Sequence, residues 1–158
     1  MNRAGSNCHN GRDMRSLAIG VTLAFAMAVA AAEMALVQPK DLAAQLAGKG
    51  ARPALFHVGP NVLYRSKHIP GSVYAGPGFK AEGLNALRAA AGALDRGREI
   101  VVYCGCCPWD RCPNVKPAVD LLKQMGFTHV KAVYMETNFA RDWIDRGYAV
   151  EAGTPKKP

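Results

Sequence analysis

Four cysteines stand within nine positions of one segment, "CGCCPWDRC", at Cys104, Cys106, Cys107 and Cys112, and the rest of the chain has only Cys8. Thiols gathered this closely can hold a soft metal ion such as copper(I) or zinc, close a disulfide staple, exchange disulfides, or support one nucleophile with helpers. Thiol–disulfide exchange would use Cys104 and Cys107, whose Cys-x-x-Cys spacing lets two sulfurs meet across a tight turn. Cys106 is then expected to point away. Cys112 is the second choice of resolving thiol, because bends at Pro108 and Pro113 return the chain toward Cys104. No histidine lies in the loop and no second cysteine pair stands elsewhere, so no metal and no organic cofactor is expected.

The flanking elements say which thiol is best placed. "EIVVYC", Glu99 to Cys104, is a continuous β-branched run of the sort buried in a parallel sheet. After the loop comes a helix with Val115, Ala118, Leu122 and Met125 on one face, with Asn114 as its expected N-cap and Pro117 in its first turn. Cys104 therefore ends a buried strand and precedes a helix N-terminus, whose free N–H groups are expected to lower its pKa. Arg111 is a candidate partner for an anionic substrate, Gly105 lets the backbone approach it closely, and Trp109 is a candidate lid.

Elsewhere a short helix is expected from Lys40 or Asp41 to Gly48, then a strand over Ala54–Val58 and another at "SVYAG". "FKAEGLNALRAAAGALD" carries Leu84, Leu87, Ala91 and Leu94 at helical spacing. "HVKAVY" reads as a strand, and "TNFARDWIDRG" as a last helix capped by Thr137. Alternating strands and helices imply an α/β fold with a mostly parallel sheet, whose ligands sit at the carboxyl ends of strands. His57 reads as a satisfied core histidine and His68 as a structural hydrogen-bonder.

The N-terminus reads differently. Arg12 and Arg15 precede an apolar run of 14 residues, Leu17–Ala30, followed by Ala-x-Ala sites at Ala28/Ala30 and Ala30/Ala32. A basic flank, a short apolar run and small residues make a secretory signal peptide, and the run is shorter than the roughly 20 residues a membrane span needs. Either Met1 or Met14 is the start. Export to the periplasm or medium is expected, with no membrane contact after cleavage. Loss of residues 1–32 removes Arg3, Arg12, Arg15 and Asp13 and takes the formal net charge from +8 to +6. That surplus favours small anions, and without a basic stripe interleaved with aromatics it does not point to nucleic acid.

From Leu36 to Val150 the chain resembles a single rhodanese (sulfurtransferase) domain. "LVQPKDLAAQLAGKGARPALFHVG" resembles the family's first helix and first core strand, and "YRSKHIPGSVYAG" its Tyr…Gly-His-Ile-Pro-Gly-Ala segment, with Lys67 at the usual glycine. "IVVYC" is similar to the strand that carries the catalytic cysteine, and "LLKQMGFTHVKAVY" and "WIDRGYAV" to the closing pattern. The resemblance implies a three-layer α/β domain over residues 33–152, between the signal peptide at 1–32 and a short basic tail at 153–158. It also implies a persulfide on Cys104, a small anionic sulfur donor, and a thiol or cyanide-like acceptor. A periplasmic redox protein is the partner that the dithiol alternative implies. The sequence departs from the pattern in two places. The family's Asp-Val-Arg is His57-Val58-Gly59, and the short loop after the nucleophile is replaced by a longer one with three more cysteines. Arg111 follows Cys104 after six residues rather than five, which disfavours a rhodanese-like phosphatase. A partial likeness to the exported Cys-x-x-Cys-Trp group linked to quinoprotein catabolism remains, with Pro108 inserted before Trp109.

Overall fold

The computed structural model describes residues 34–153, so the expected signal peptide and its cleavage sites, and all of the expected basic tail but Gly153, lie outside the described residues. Five strands form one parallel sheet: β1 (Ala35–Val37), β2 (Ala54–His57), β3 (Val73–Tyr74), β4 (Ile100–Tyr103) and β5 (Val130–Val133). Their spatial order is β1-β5-β4-β2-β3, so β4 is central. Helices α1 (Pro39–Ala47), α2 (Asn61–Ser66), α3 (Ala81–Ala91) and α4 (Val115–Gln124) connect them, with a 3₁₀ turn at Trp109–Arg111 and a π-helical turn at Ala140–Ile144. Among the described residues, no helix is long and apolar enough to cross a membrane.

Strand periodicity divides the core. Ile100 and Val102 of β4 pack with Leu87, Ala118, Val119 and Leu122 on the α3/α4 side. Val101 and Tyr103, pointing the other way, pack with Leu42, Phe139 and Trp143 on the α1 side. All four side chains of β4 are fully buried, each worth roughly 1.5–3 kcal/mol of apolar burial. The result is the expected three layers, helices on both faces of a parallel sheet.

Three local readings change. Helix α1 begins at Pro39, a residue or two before Lys40 or Asp41, because proline suits a first turn whose N–H groups are unpaired anyway. Helix α2 was not expected: six residues are too few for a hydrophobic period to show. The last helix is a π-helical turn, and Thr137 is not its cap. Asn138 Oδ1 accepts from the Arg141 N–H at 3.0 Å, and the Asp142 carboxylate accepts from the N–H groups of Thr137 and Asn138.

The register of the sheet builds the site. His57 of β2 lies opposite Tyr103 of β4, and the Val58 N–H donates to the Tyr103 carbonyl at 2.8 Å. Cys104, one residue beyond Tyr103, and Gly59, two beyond His57, come together just past the carboxyl edge.

Candidate active site

Cys104 is 1% exposed, and its Sγ sits where a side chain on residue 59 would be: a Cβ added to Gly59 would stand 2.8 Å from it and 2.9 Å from His57 Cε1. Gly59 occupies the position of the family's arginine, and its missing side chain makes room for the sulfur. Gly105 then turns the chain with φ +72°, and its carbonyl accepts from the Phe139 N–H at 3.0 Å. A Cβ there would meet Phe139 Cβ at 2.5 Å, so only glycine fits.

That left-handed turn corrects one expectation. Cys106 does not point away: Gly105 reverses the chain and brings Cys106 Sγ to 3.1 Å from Cys104 Sγ. The Sγ atoms of Cys104, Cys106 and Cys112 all lie within 4.8 Å of one another. Cys107, the expected partner of Cys104, touches Cys106 at 3.1 Å and donates to the Arg111 carbonyl at 3.6 Å, outside that trio. Three sulfurs converge rather than four, and all four cysteines are free thiols.

The charge also sits elsewhere than expected. The longer loop places Cys112, not Cys104, against the first turn of α4. The Cys112 sulfur accepts a hydrogen bond from the Cys104 thiol and others from the backbone N–H groups of Asn114 and Val115, which lower its pKa to about 5 against the pull of burial. Cys104 moves the opposite way. Its thiol is raised far above the ordinary range, first by donating to Cys112 and then by burial. Of the two sulfurs, Cys112 is therefore the readier to ionise and Cys104 the one that keeps its proton. Cys107 is pushed up to about 12, first by burial and then by its neighbouring thiols. Alkylation by iodoacetamide is therefore expected to reach Cys112 first, with a midpoint near pH 5. The test is to quantify the tryptic peptides, since cleavage after Arg111 separates 112–123 from 99–111. A midpoint near 9 for peptide 112–123 would refute a thiolate at Cys112.

Other residues around the sulfurs were not recognised as part of the site. Asn114, expected to cap α4, makes no side-chain cap. Its Nδ2 donates to Cys104 Sγ at 3.4 Å and faces Cys106 Sγ at 3.7 Å, while its Oδ1 accepts from the Phe79 N–H at 3.3 Å. Its type and place fit a cap, and only the fold reveals what it holds. His57 is buried and lines the Cys104 cleft. Burial, and then His68, lower its pKa to about 3, so it is a neutral wall rather than a charged partner. His68 is structural, as expected, with Nδ1 2.7 Å from the Tyr64 carbonyl and its ring stacked on Tyr64.

Cys104, Gly105 and Cys106 open on a cleft of about 360 Å³ whose one charged lining residue is Lys67. The substitution of the family's glycine by Lys67 was the sequence signal for this cation. Arg111 does not line the cleft. Its side chain is 80% exposed and stands 4.0 Å from Asp110, a surface pair of little energetic weight. Trp109 is no lid over Cys104 either: it leans on Tyr134 at 5.6 Å between ring centroids and lines a separate cleft with Cys112.

A buried cysteine at the carboxyl end of the central strand of a parallel sheet, facing a cleft, stands where α/β proteins of this class bind their ligands. The rhodanese-like domain profile matches residues 38–136, and the chain belongs to that family. Solved structures agree on the fold. The Alr3790 protein from Anabaena sp. is 21% identical, with a TM-score of 0.58 over 74% of this chain and 92% of that one. Thiosulfate sulfurtransferase from Pseudomonas aeruginosa is 22% identical, with a TM-score of 0.58 over 78% of this chain and 21% of the larger protein. The polysulfide-sulfur transferase of Wolinella succinogenes, a homodimer, is 18% identical, with a TM-score of 0.54 over 77% of this chain and 80% of that one. No curated protein matches the sequence.

Proposed function

We propose that this chain is an exported sulfurtransferase that carries sulfane sulfur as a persulfide on Cys104. The observation that carries the reading is the position of Cys104 Sγ. It lies at the end of β4, on a cleft with a single cation, Lys67, and beside a sulfur that can take its proton. Lys67 draws in a small dianion such as thiosulfate. As Cys104 gives its proton to the Cys112 sulfur, its thiolate attacks the outer sulfur of the donor. A Cys104 S–S bond forms, the sulfur–sulfur bond of thiosulfate breaks, and sulfite leaves with the electron pair. A cyanide or thiol acceptor then attacks the outer sulfur and returns Cys104 as thiolate. The name of one structural neighbour, a thiosulfate sulfurtransferase, supports this choice of donor.

The test uses protein recovered from the periplasm, whose N-terminus is expected at Ala31 or Glu33. Thiosulfate should release one sulfite per chain and leave peptide 99–111 one sulfur atom heavier. An N-terminus at Met1 or Met14 would overturn export, and sulfite release without added sulfur would overturn the persulfide.

A second reading has its own observation: with Cys104 and Cys106 sulfurs 3.1 Å apart, dithiol exchange would use this pair rather than Cys104 and Cys107. Trapped mixed disulfides on Cys104, with no thiocyanate formed from thiosulfate and cyanide, would favour it.

A further inference from the structure

The three convergent sulfurs do not share one opening. Cys104 and Cys106 line the cleft that holds Lys67, whereas Cys112 lines a second cleft of about 280 Å³ with Met34, Trp109, Asp110, Val115 and Lys116. The two clefts have no lining residue in common. Yet Cys112 Sγ lies within 4.8 Å of Cys104 Sγ, and the outer sulfur of a persulfide reaches about 2.05 Å beyond the sulfur that carries it. A sulfur loaded through one cleft is thus within reach of a thiol that opens on another.

Resting on the Cys104 persulfide proposed above, we infer that Cys112 is a second carrier, which takes the sulfane sulfur from Cys104 and presents it to an acceptor thiol at the second cleft. The chemistry balances without an oxidant or reductant. Cys112, open to solvent on its own side, gives up the proton it received during loading. Its thiolate attacks the outer sulfur of the Cys104 persulfide, a Cys112 S–S bond forms, and the bond from Cys104 to that sulfur breaks. The electron pair returns to Cys104 as thiolate. An acceptor thiolate then attacks the outer sulfur on Cys112. The bond from Cys112 to that sulfur breaks with its electron pair left on Cys112 as thiolate, and the acceptor departs as an organic persulfide. Cys106 cannot serve this purpose, because it opens on the same cleft as Cys104 and its use would move the sulfur nowhere new.

The two openings also sort the substrates. The first has a lone cation and suits an anionic donor. In the second, Lys116 is paired with Asp120 at 2.6 Å and Asp110 stands 4.0 Å from Arg111, so each charge has its partner outside the cleft, and Met34, Trp109 and Val115 supply an apolar rim. That surface fits an uncharged organic thiol, the class to which a cysteine side chain belongs, better than an inorganic anion.

The experiment follows one sulfur. The protein is loaded with thiosulfate, quenched at intervals by alkylation and digested with trypsin. The extra sulfur is expected on peptide 99–111 first and on 112–123 later. A cysteinyl peptide capped at both ends then serves as the acceptor probe, with cyanide for comparison because it can reach Cys104 directly. Cys112→Ser should hold the label on 99–111 and lower transfer to the capped peptide at least tenfold more than it lowers thiocyanate formation. Label that never reaches 112–123, or equal losses with both acceptors, would overturn the relay. So would one sulfide released per donor with a disulfide joining the two peptides, since that marks attack on the inner sulfur. Failure of the Cys104 reading looks different: in Cys104→Ser, label would still arrive on 112–123 with no precursor on 99–111.

Discussion

Cys104→Ser is expected to lower thiocyanate formation from thiosulfate and cyanide by about a thousandfold or more, the scale of losing a covalent nucleophile. A serine hydroxyl stays protonated at any accessible pH and forms no stable persulfide. Cys112 opens on the other cleft, so Cys106, which lines the donor cleft itself, is the one neighbour placed to substitute for it. The fold should survive: the residue is 1% exposed, but Asn114 Nδ2, 3.4 Å from the sulfur, can still donate to an oxygen there. The expected cost is about 1–2 kcal/mol, from a hydroxyl buried with a partner but in imperfect geometry. Cys107→Ser, outside the convergent trio, should change turnover less than threefold. The measurement is steady-state thiocyanate formation beside a thermal melt. Turnover by Cys104→Ser within tenfold of the wild type would move the nucleophile elsewhere in the loop.

The sequence readily shows the parts of this site that depend on the pattern of a single element. "EIVVYC" announces a buried central strand because β-branched residues run without alternation, and a cysteine at its end is then a site by position. The α3 and α4 periodicities show for the same reason. What the sequence hides is contact across elements. The neighbourhood of Gly59 and Cys104 depends on the register of β2 against β4, which no local pattern encodes. Cys106 turns inward because one residue, Gly105, takes a positive φ, and spacing alone favoured the Cys104-x-x-Cys107 pairing instead. The thiolate was expected on Cys104 because a helix follows it. Loop length decided otherwise and delivered those N–H groups to Cys112. Arg111 failed as an anion partner for a similar reason: the 3₁₀ turn at 109–111 carries it out to solvent, while Lys67, from a different segment, faces the cleft.

Gly59→Val should disable the site from a residue that does no chemistry. Its Cβ alone would stand 2.8 Å from Cys104 Sγ and 2.9 Å from His57 Cε1, closer than real contacts allow, and 3.3 Å from the Cys104 carbonyl. Two methyl groups beyond it add bulk against Cys104 and His57, both buried at the end of the sheet. Either the strand end shifts or the Cys104 side chain leaves its rotamer. Overpacking of this kind costs on the order of 3 kcal/mol. For a domain of this size that is about 10 °C in Tm. The catalytic loss should exceed the stability loss, since the displaced atom is the proposed nucleophile: sulfite release on mixing with thiosulfate should fall at least a hundredfold at a temperature where the variant is still folded. Gly59→Ala separates the two effects, because one methyl can be met by a small shift of Cys104 with only part of the thermal penalty. It should therefore load slowly while melting within a few degrees of the wild type. A valine variant that loads within threefold of the wild-type rate would show that Cys104 Sγ does not act from the place beside residue 59, and would return the choice of nucleophile to Cys106 or Cys112.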